Sequence, residues 1–406
     1  MKIDKKLLKN LDFFIIAMIF LLVGVGLLFI IKATASPFTG EESTFSEVFE
    51  KIDISQAMLQ LLWFALGLVL MVIVCMIDYH VYGDLINIAY IVLLVMLVFL
   101  VVAGKAINGT TAWLKFNERA FQPSELFKIV LIILVAKYAA AAMDKYNCVK
   151  INKDFWKMMA FIALPLLLVC IQPDLGTAMV YICIVAGILF AGKLSWKAIF
   201  VLMLVAVGLA IAAFFAPNIM EDYQKMRILN FLGLGDDTTL LEKLHISADA
   251  LQRFDSTNVD AAISSISSGG MFGIGLFSAG STAQLGYVYA DSTDFIFAAG
   301  IESVGLVGGI VIMVLYLALL IRTMYLAFKA KDHFGSFIIV GVVFLELAHI
   351  FENIAMNMGL MPVTGIPLPF ISYGGSSMWT NMIAFGLVLN IAMRRPTKRY
   401  NASVIH

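Results

Sequence analysis

The sequence predicts an all-α, polytopic membrane protein of about ten transmembrane helices, and three observations carry that prediction. Hydrophobic residues make up 61% of the 406-residue chain and charged residues only 14%, whereas the apolar share of soluble domains lies nearer one half. Mean hydropathy is +0.94. The apolar residues also gather in windows of about 20, the length that spans the hydrocarbon core of a bilayer. Formal net charge is zero, so no general basic field points to nucleic acid.

The windows fall at roughly 12–32, 56–77, 84–103, 124–142, 156–171, 174–191, 196–215, 294–321, 336–358 and 369–393. The first is too long for a signal-peptide h-region and lacks a small-residue cleavage site, so it is expected to stay as an anchor. The fourth opens on Phe121-Gln122-Pro123-Ser124-Glu125, with Pro suited to a first helical turn and Glu125 favoured by the helix dipole. Lys128 follows on the same helical face, where an ion pair with Glu125 is available. The sixth opens on Gln172-Pro173-Asp174-Leu175-Gly176-Thr177, and the eighth on Thr293-Asp294-Phe295-Ile296-Phe297. Each could be no more than a well-capped helix start. Before the tenth, Pro362 to Ser377 is too rich in Pro and Gly for ordinary helix. Such backbone at membrane depth must be buried in protein or line a wet cavity.

Orientation follows from the basic residues. Lys2, Lys5, Lys6 and Lys9, the 143–157 loop, Lys193 and Lys197, Arg322 to Lys331, and Arg394 to Arg399 share one side of a ten-span topology. The positive-inside rule makes that side the cytoplasm, with both termini there. Glu125, Asp174 and Asp294, with the cation Lys128, then share the outer face, the layout of a polar cavity opening outward. The whole chain reads as one membrane domain. Its 216–293 loop, 78 residues long, is expected to be partly folded, with Ser264 to Gly286 lying against the membrane surface.

Neither the four cysteines nor the five histidines show disulfide or metal-ligand spacing. In the ninth window Glu346, His349 and Glu352 recur at i, i+3 and i+6. Intramembrane acids and histidines are functional candidates, and a structural pairing of Glu346 with His349 is the alternative. Asn353 reads as a packing residue between spans.

Five strings together resemble one family. Phe121-Gln122-Pro123-Ser124-Glu125, Gln172 to Thr177, Ser267-Ser268-Gly269-Gly270, Thr293 to Phe297, and Pro367-Leu368-Pro369-Phe370-Ile371-Ser372-Tyr373-Gly374-Gly375 occur in the order and spacing of the RodA/FtsW-like SEDS (shape, elongation, division, sporulation) proteins. The resemblance covers nearly the whole chain. It implies a peptidoglycan glycosyltransferase that polymerises lipid II at the outer face of the cytoplasmic membrane, paired with a class B penicillin-binding protein. By position, Asp294 resembles the family's catalytic Asp, and Glu125, Lys128, Asp174 and Glu302 resemble supporting cavity residues. Gln122, Ser124, Gln172, Thr293, Ser372, Tyr373, Gly374 and Gly375 are the implied substrate contacts.

The chemistry is consistent with those residues. Lipid II holds its sugar through an α-linked pyrophosphate, and a β-1,4 glycan requires inversion, so one displacement by the acceptor 4-hydroxyl suffices. That step needs one base, Asp294, and no carboxylic acid to protonate the leaving group. Charge growing on the pyrophosphate calls for a cation. Lys128 either fills that role or neutralises Glu125. Lys115 and Arg119 are phosphate contacts or solvated loop charges. A divalent cation, Mg²⁺ or Mn²⁺, held by Glu125, Asp174 and Asp294 would also suit phosphate.

Departures from the family pattern are expected to bear on activity. Ala290 and Ser292 stand where Glu and His are usual, Ser303 replaces the second acid after Glu302, and Ala261-Ala262 replaces Gln-Ser. The basic residue of the first outer loop has only Lys51 as a near substitute. Two alternatives therefore stand beside the enzyme: a degenerate scaffold that recruits a penicillin-binding protein, and a lipid II flippase.

Overall fold

The computed structural model describes residues 9–37, 51–103, 112–116, 119–215, 220–235, 241, 244, 246, 257–283 and 285–395. Lys2, Lys5, Lys6, the Glu41–Glu50 run, His245, Arg399 and His406 lie outside them, as do the side chains of Lys115 and Arg119. The helices are α1 (Phe13–Thr34), α2 (Ser55–Met76), α3 (Tyr79–Ala103), α4 (Pro123–Tyr146), α5 (Lys153–Ile171), α6 (Leu175–Ala191), α7 (Trp196–Phe215), α8 (Asp222–Phe231), α9 (Thr257–Ser268), α10 (Ile296–Phe328), α11 (His333–Asn357) and α12 (Gly375–Met393). Among the described residues nine are long and apolar enough to cross a membrane, and the 17-residue α6 supplies the tenth predicted segment. A short antiparallel ribbon, β1 (Leu114–Phe116) and β2 (Arg119–Phe121), leads into α4.

Polar caps set several helix starts. The Asp12 carboxylate accepts from Ile15 N and pairs with Arg322 of α10 at 2.7 Å, tying the first and eighth spans at the basic end. Asn152, Asp174 and Asp332 accept from Phe155 N, Thr177 N and Gly335 N, each satisfying an orphan N–H of the first turn. Asp78 does the same for His80 N, which is why α3 begins five residues before the predicted edge. At its far end α4 closes on Asn147 in the left-handed region, φ 55°.

Two departures from the predicted edges have backbone causes. The tenth span becomes helical only at Gly375, because Pro367 and Pro369 lack N–H donors. Instead, Leu368 N donates to Ser372 Oγ at 2.8 Å. This strap packs so closely on α1 that a Cβ at Gly26 would meet Ile371 Cα at 2.7 Å.

The second departure is a break in α10 at Gly305, φ 68° and ψ −173°, about 13 Å along the helix at 1.5 Å per residue. The segment after α9 enters the gap. Leu306 N and Val307 N donate to Gly270 O and Met271 O, while Ile274 N and Gly275 N donate to Glu302 O and Ser303 O. Backbone groups freed by the break are thus paired inside the protein, as lipid requires. The 269–275 segment accordingly packs against the break in α10 through its backbone, while Met271 and Phe272 stay exposed. No side chain fits the crossing, where a Cβ on Gly273 would sit 2.0 Å from Ser303 O.

The core gathers around α4, α11 and α12, whose membrane windows are mostly buried. α12 runs along α2, and α11 lies against α4, α6 and α10. By contrast α7 has no buried residue. Buried polar residues accordingly lie on inward faces, on α4, α11 and α12 and on the helices packed against them.

Candidate active site

Asp294 occupies the turn that enters α10. Its main chain is fixed from three directions. Asn353 Nδ2 and Asn357 Nδ2 of α11 donate to Asp294 O at 2.8 and 3.0 Å, and Asn357 Oδ1 accepts from Ala298 N. From the strap, Ser372 Oγ donates to Thr293 O at 2.6 Å and Tyr373 N to Ser292 O at 2.9 Å. Gln60 of α2 holds the strap in turn, donating to Ser372 O and accepting from Gly374 N. Before Asp294 the chain turns at Ala290, φ 58°, a conformation that costs a non-glycine residue on the order of 1 kcal/mol or more. Ala290 O repays the turn by accepting from Thr293 N and Phe295 N.

The Asp294 carboxylate is left for chemistry. Gly365 lies beside it, where a Cβ would stand 3.5 Å from Oδ2. Burial raises its pKa above the ordinary carboxylate value, while the Arg227 charge and the Thr293 side chain pull it back. Arg227 comes from α8, where Nη1 donates to Val363 O at 3.0 Å and the guanidinium lies 5.4 Å from the Tyr223 ring centre. Tyr223 OH reaches Pro173 O at 3.3 Å. One helix of the 216–293 loop thus touches Pro173 before α6 and Val363 ahead of the strap, and sets its Arg227 charge near Asp294. Sequence reading missed Arg227; its one signal was Tyr223 and Arg227 at i, i+4 in an otherwise polar loop.

Asp174 faces Gln122, whose Nε2 donates to Oδ2 at 2.7 Å. Burial raises the Asp174 pKa, against the opposing bond from Thr177. Gln172 and Ser124 are fully buried. Gln172 Nε2 donates to Leu97 O, and the Ser124 carbonyl accepts from Tyr181 OH. Gly375 packs on the Trp63 ring.

Deeper in the bundle, Lys128 Nζ donates to Glu125 Oε1 at 2.6 Å and contacts His349 Nε2 at 2.8 Å. The expected intrahelical pair is therefore formed. His349 turns to Lys128 rather than to Glu346, because α11 lies against α4 with that face inward. Among the described residues both Glu346 oxygens lack a hydrogen-bond partner.

Glu302 stands apart from this group, bound to Lys32 of α1 at 2.8 Å. Lys32, in the last turn of α1, is the cation that the first span brings to Glu302. Of the departures, Ala262 packs with Val288, Phe295 and Ala298 under the Asp294 turn. Ser303 is buried, with Oγ 3.5 Å from Ala299 O.

The residues suggested for a divalent cation do not fit one as they stand. Among the described residues no group of three or more His, Cys, Asp or Glu side chains could hold a metal ion. Glu125 is engaged by Lys128 and Asp174 by Gln122 and Thr177.

Asp291, three residues before Asp294, has its pKa raised by burial to about 6, with Lys32 opposing. A folded-state value above the unfolded one means stability is lost as pH rises through the window from about 4 to about 6. Asp291→Asn is therefore expected to be the more stable protein above that window, by ~1–3 kcal/mol. The difference should close below it. Thermal unfolding of both proteins across pH checks this, and a constant difference would remove the burial explanation.

The fold and the site define a class: a multi-pass membrane protein in which an acidic residue stands at the turn where one span begins, held by polar contacts from the neighbouring helix and strap. A family model described as "Cell cycle protein", FTSW_RODA_SPOVE, matches residues 12–397. The chain belongs to this family of FtsW, RodA and SpoVE proteins. It is 34% identical over 332 residues to the peptidoglycan glycosyltransferase MrdB of Escherichia coli (strain K12), covering 82% of this chain and 84% of that protein. The peptidoglycan glycosyltransferase RodA of Treponema pallidum (strain Nichols) is 28% identical over 95% of this chain and 98% of its own. A chain solved in a study of the structural coordination of polymerization and crosslinking by a peptidoglycan synthase complex shares the fold. Its TM-score is 0.68 at 24% identity, over 94% of this chain and 97% of that one.

Proposed function

We propose that this protein is a peptidoglycan glycosyltransferase that polymerises lipid II into β-1,4 glycan at the outer face of the cytoplasmic membrane. Its basic ends face the cytoplasm, and a class B penicillin-binding protein is its partner. One observation carries the reading. Asp294 is fixed through its main-chain carbonyl by two asparagines while its carboxylate faces Gly365 and the field of Arg227.

In the proposed step the acceptor 4-hydroxyl oxygen bonds to the donor's anomeric carbon and the bond from that carbon to the pyrophosphate oxygen breaks. The electron pair leaves on undecaprenyl pyrophosphate, the hydroxyl proton passes to Asp294, and configuration inverts. Burial keeps the carboxylate basic enough to take that proton. Arg227 is the cation placed to meet charge growing on the pyrophosphate. Lys128, closed off by Glu125 and His349, keeps the cavity wall in shape. Gln122, Ser372, Tyr373 and Gly374 shape the cavity through their contacts with Asp174, the Asp294 turn and Gln60.

Arg227→Gln is expected to lower kcat/KM by roughly 10²-fold, the cost of losing one preorganised donor to a developing anion. Arg227→Lys should recover only part of it, since a point charge does not reproduce the guanidinium fork. Initial rates of glycan formation measure both. Rates equal to wild type in Arg227→Gln would remove Arg227 from the site.

The whole reading is tested by reconstituting the full chain with lipid II, with and without a class B penicillin-binding protein, and resolving the products by size. Glycan polymer is the expected product. A stably bound partner and no polymer would leave the scaffold, and lipid II crossing the bilayer without polymer would leave the flippase.

A further inference from the structure

A single cation in the first membrane helix organises the approach to Asp294. Lys32 lies in the last turn of α1 and is fully buried. Its Nζ donates to Ala299 O at 2.7 Å and to Glu302 Oε2 at 2.8 Å, both on the outer half of α10. An ammonium without water is costly unless each charge finds a well-placed counterpart. Glu302 provides one, and it is itself fully buried.

The remaining bonds of Glu302 all go elsewhere in the chain. Oε2 also accepts from Ser281 Oγ at 2.7 Å and Ala283 N at 3.4 Å. Oε1 accepts from Thr282 N at 2.6 Å and Ser268 Oγ at 3.3 Å. One carboxylate thus gathers the end of α9 and the 281–283 turn onto α10. Its own carbonyl receives Ile274 N from the segment that fills the α10 break. An ion pair that merely neutralised itself would not need this fan of donors from one loop. That loop runs on into the Ala290 turn and Asp294, and Asp291 there lies in the field of Lys32.

We propose that Lys32 and Glu302 are positioning residues for Asp294, a clamp through which the first membrane helix holds the outer loop in register with α10. The proposal rests on the reading of Asp294 as the reacting base. Lys32 supplies the counter-charge to the Glu302 carboxylate, which in turn accepts from Ser268, Ser281, Thr282 and Ala283. When the clamp opens, Asp294 keeps its asparagine contacts, but the chain leading to it loses its anchor.

The test uses the full-length protein in lipid nanodiscs, as wild type, Lys32→Met, Lys32→Arg, Glu302→Gln and the apolar pair Lys32→Met/Glu302→Leu. Hydrogen exchange over residues 281–295 and steady-state polymerisation are read together. In Lys32→Met and Glu302→Gln, exchange in this segment should quicken and kcat should fall by ~10–100-fold with KM little changed, the scale of a small misplacement of a reacting group. Lys32→Arg should restore both. The apolar pair should regain thermal stability, since it buries no unpaired charge, yet keep the fast exchange and the low kcat.

An apolar pair that recovers kcat along with stability would overturn the proposal, leaving the ion pair as packing alone. Unchanged exchange over 281–295 in folded Lys32→Met would do the same. If wild type makes no polymer, the glycosyltransferase reading fails by itself, and the exchange measurement still decides whether the clamp exists.

Discussion

Asp294→Asn is expected to fold like wild type and to make no detectable glycan polymer. The substitution keeps the shape of the side chain and removes its capacity to take a proton, so the loss belongs to the chemistry. A positioned general base contributes roughly 10²–10⁴ in rate, and among the described residues no other acid stands at this turn with its main chain so held. Asp291 is the nearest in sequence, but its charge is coupled to Lys32 instead. The asparagine contacts to the Asp294 carbonyl do not involve the carboxylate and should survive. Because burial raises the Asp294 pKa, wild-type kcat/KM should also fall as the solution becomes acidic, at higher pH than an exposed aspartate would show. Size-resolved products of the two purified proteins decide the matter. Polymer undiminished in Asp294→Asn would keep the enzyme and move its base elsewhere.

Lys128→Met carries the second large effect, and it falls on stability. Lys128 is fully buried and Glu125 nearly so, at 2.6 Å from one another. Removing the ammonium leaves a carboxylate among apolar helices, and breaking such a pair costs about 3–5 kcal/mol. Among the described residues Glu125 Oε2 already lacks a hydrogen-bond partner, so few neighbouring donors can compensate. His349 also loses the group at its Nε2. Adding Glu125→Gln should return most of the loss, because a neutral amide is cheaper to bury than a bare charge. Thermal unfolding of the two single variants and the double variant in one lipid environment gives the coupling directly. Additive losses would mean that the pair is not the unit described here.

The sequence by itself determined what period and composition can determine. Apolar windows of membrane length fixed the spans, and Pro123 in the first turn of α4 and Asp174 as the cap of α6 marked helix starts through chemistry that acts within a few residues, whereas α10 begins after Phe295 without a side-chain cap. Glu125 and Lys128 were legible as a pair because three residues of helix place them on one face. The motif strings likewise marked the strap from Pro367 to Gly375 as irregular.

Tertiary structure decided what joins distant parts of the chain. Gly305 reads as one glycine among several in an apolar run, yet it breaks α10 because the 269–275 segment supplies the replacement hydrogen bonds. Lys32 reads as the polar end of a first span, and only its contact with Glu302, 270 residues away, makes it a clamp. Arg227 lies in a loop whose own periodicity is weak, and its charge acts on Asp294 because contacts at Pro173 and Val363 hold its helix near that turn. His349 was pointed at the wrong acid because helical spacing identifies neighbours on one helix, whereas the packing of α11 on α4 chose Lys128. Local hydrogen bonding and hydrophobic length are written in adjacent residues. In a low-dielectric interior a buried charge takes its partner from whichever helix the packing brings within reach, and a single chain segment does not encode that choice.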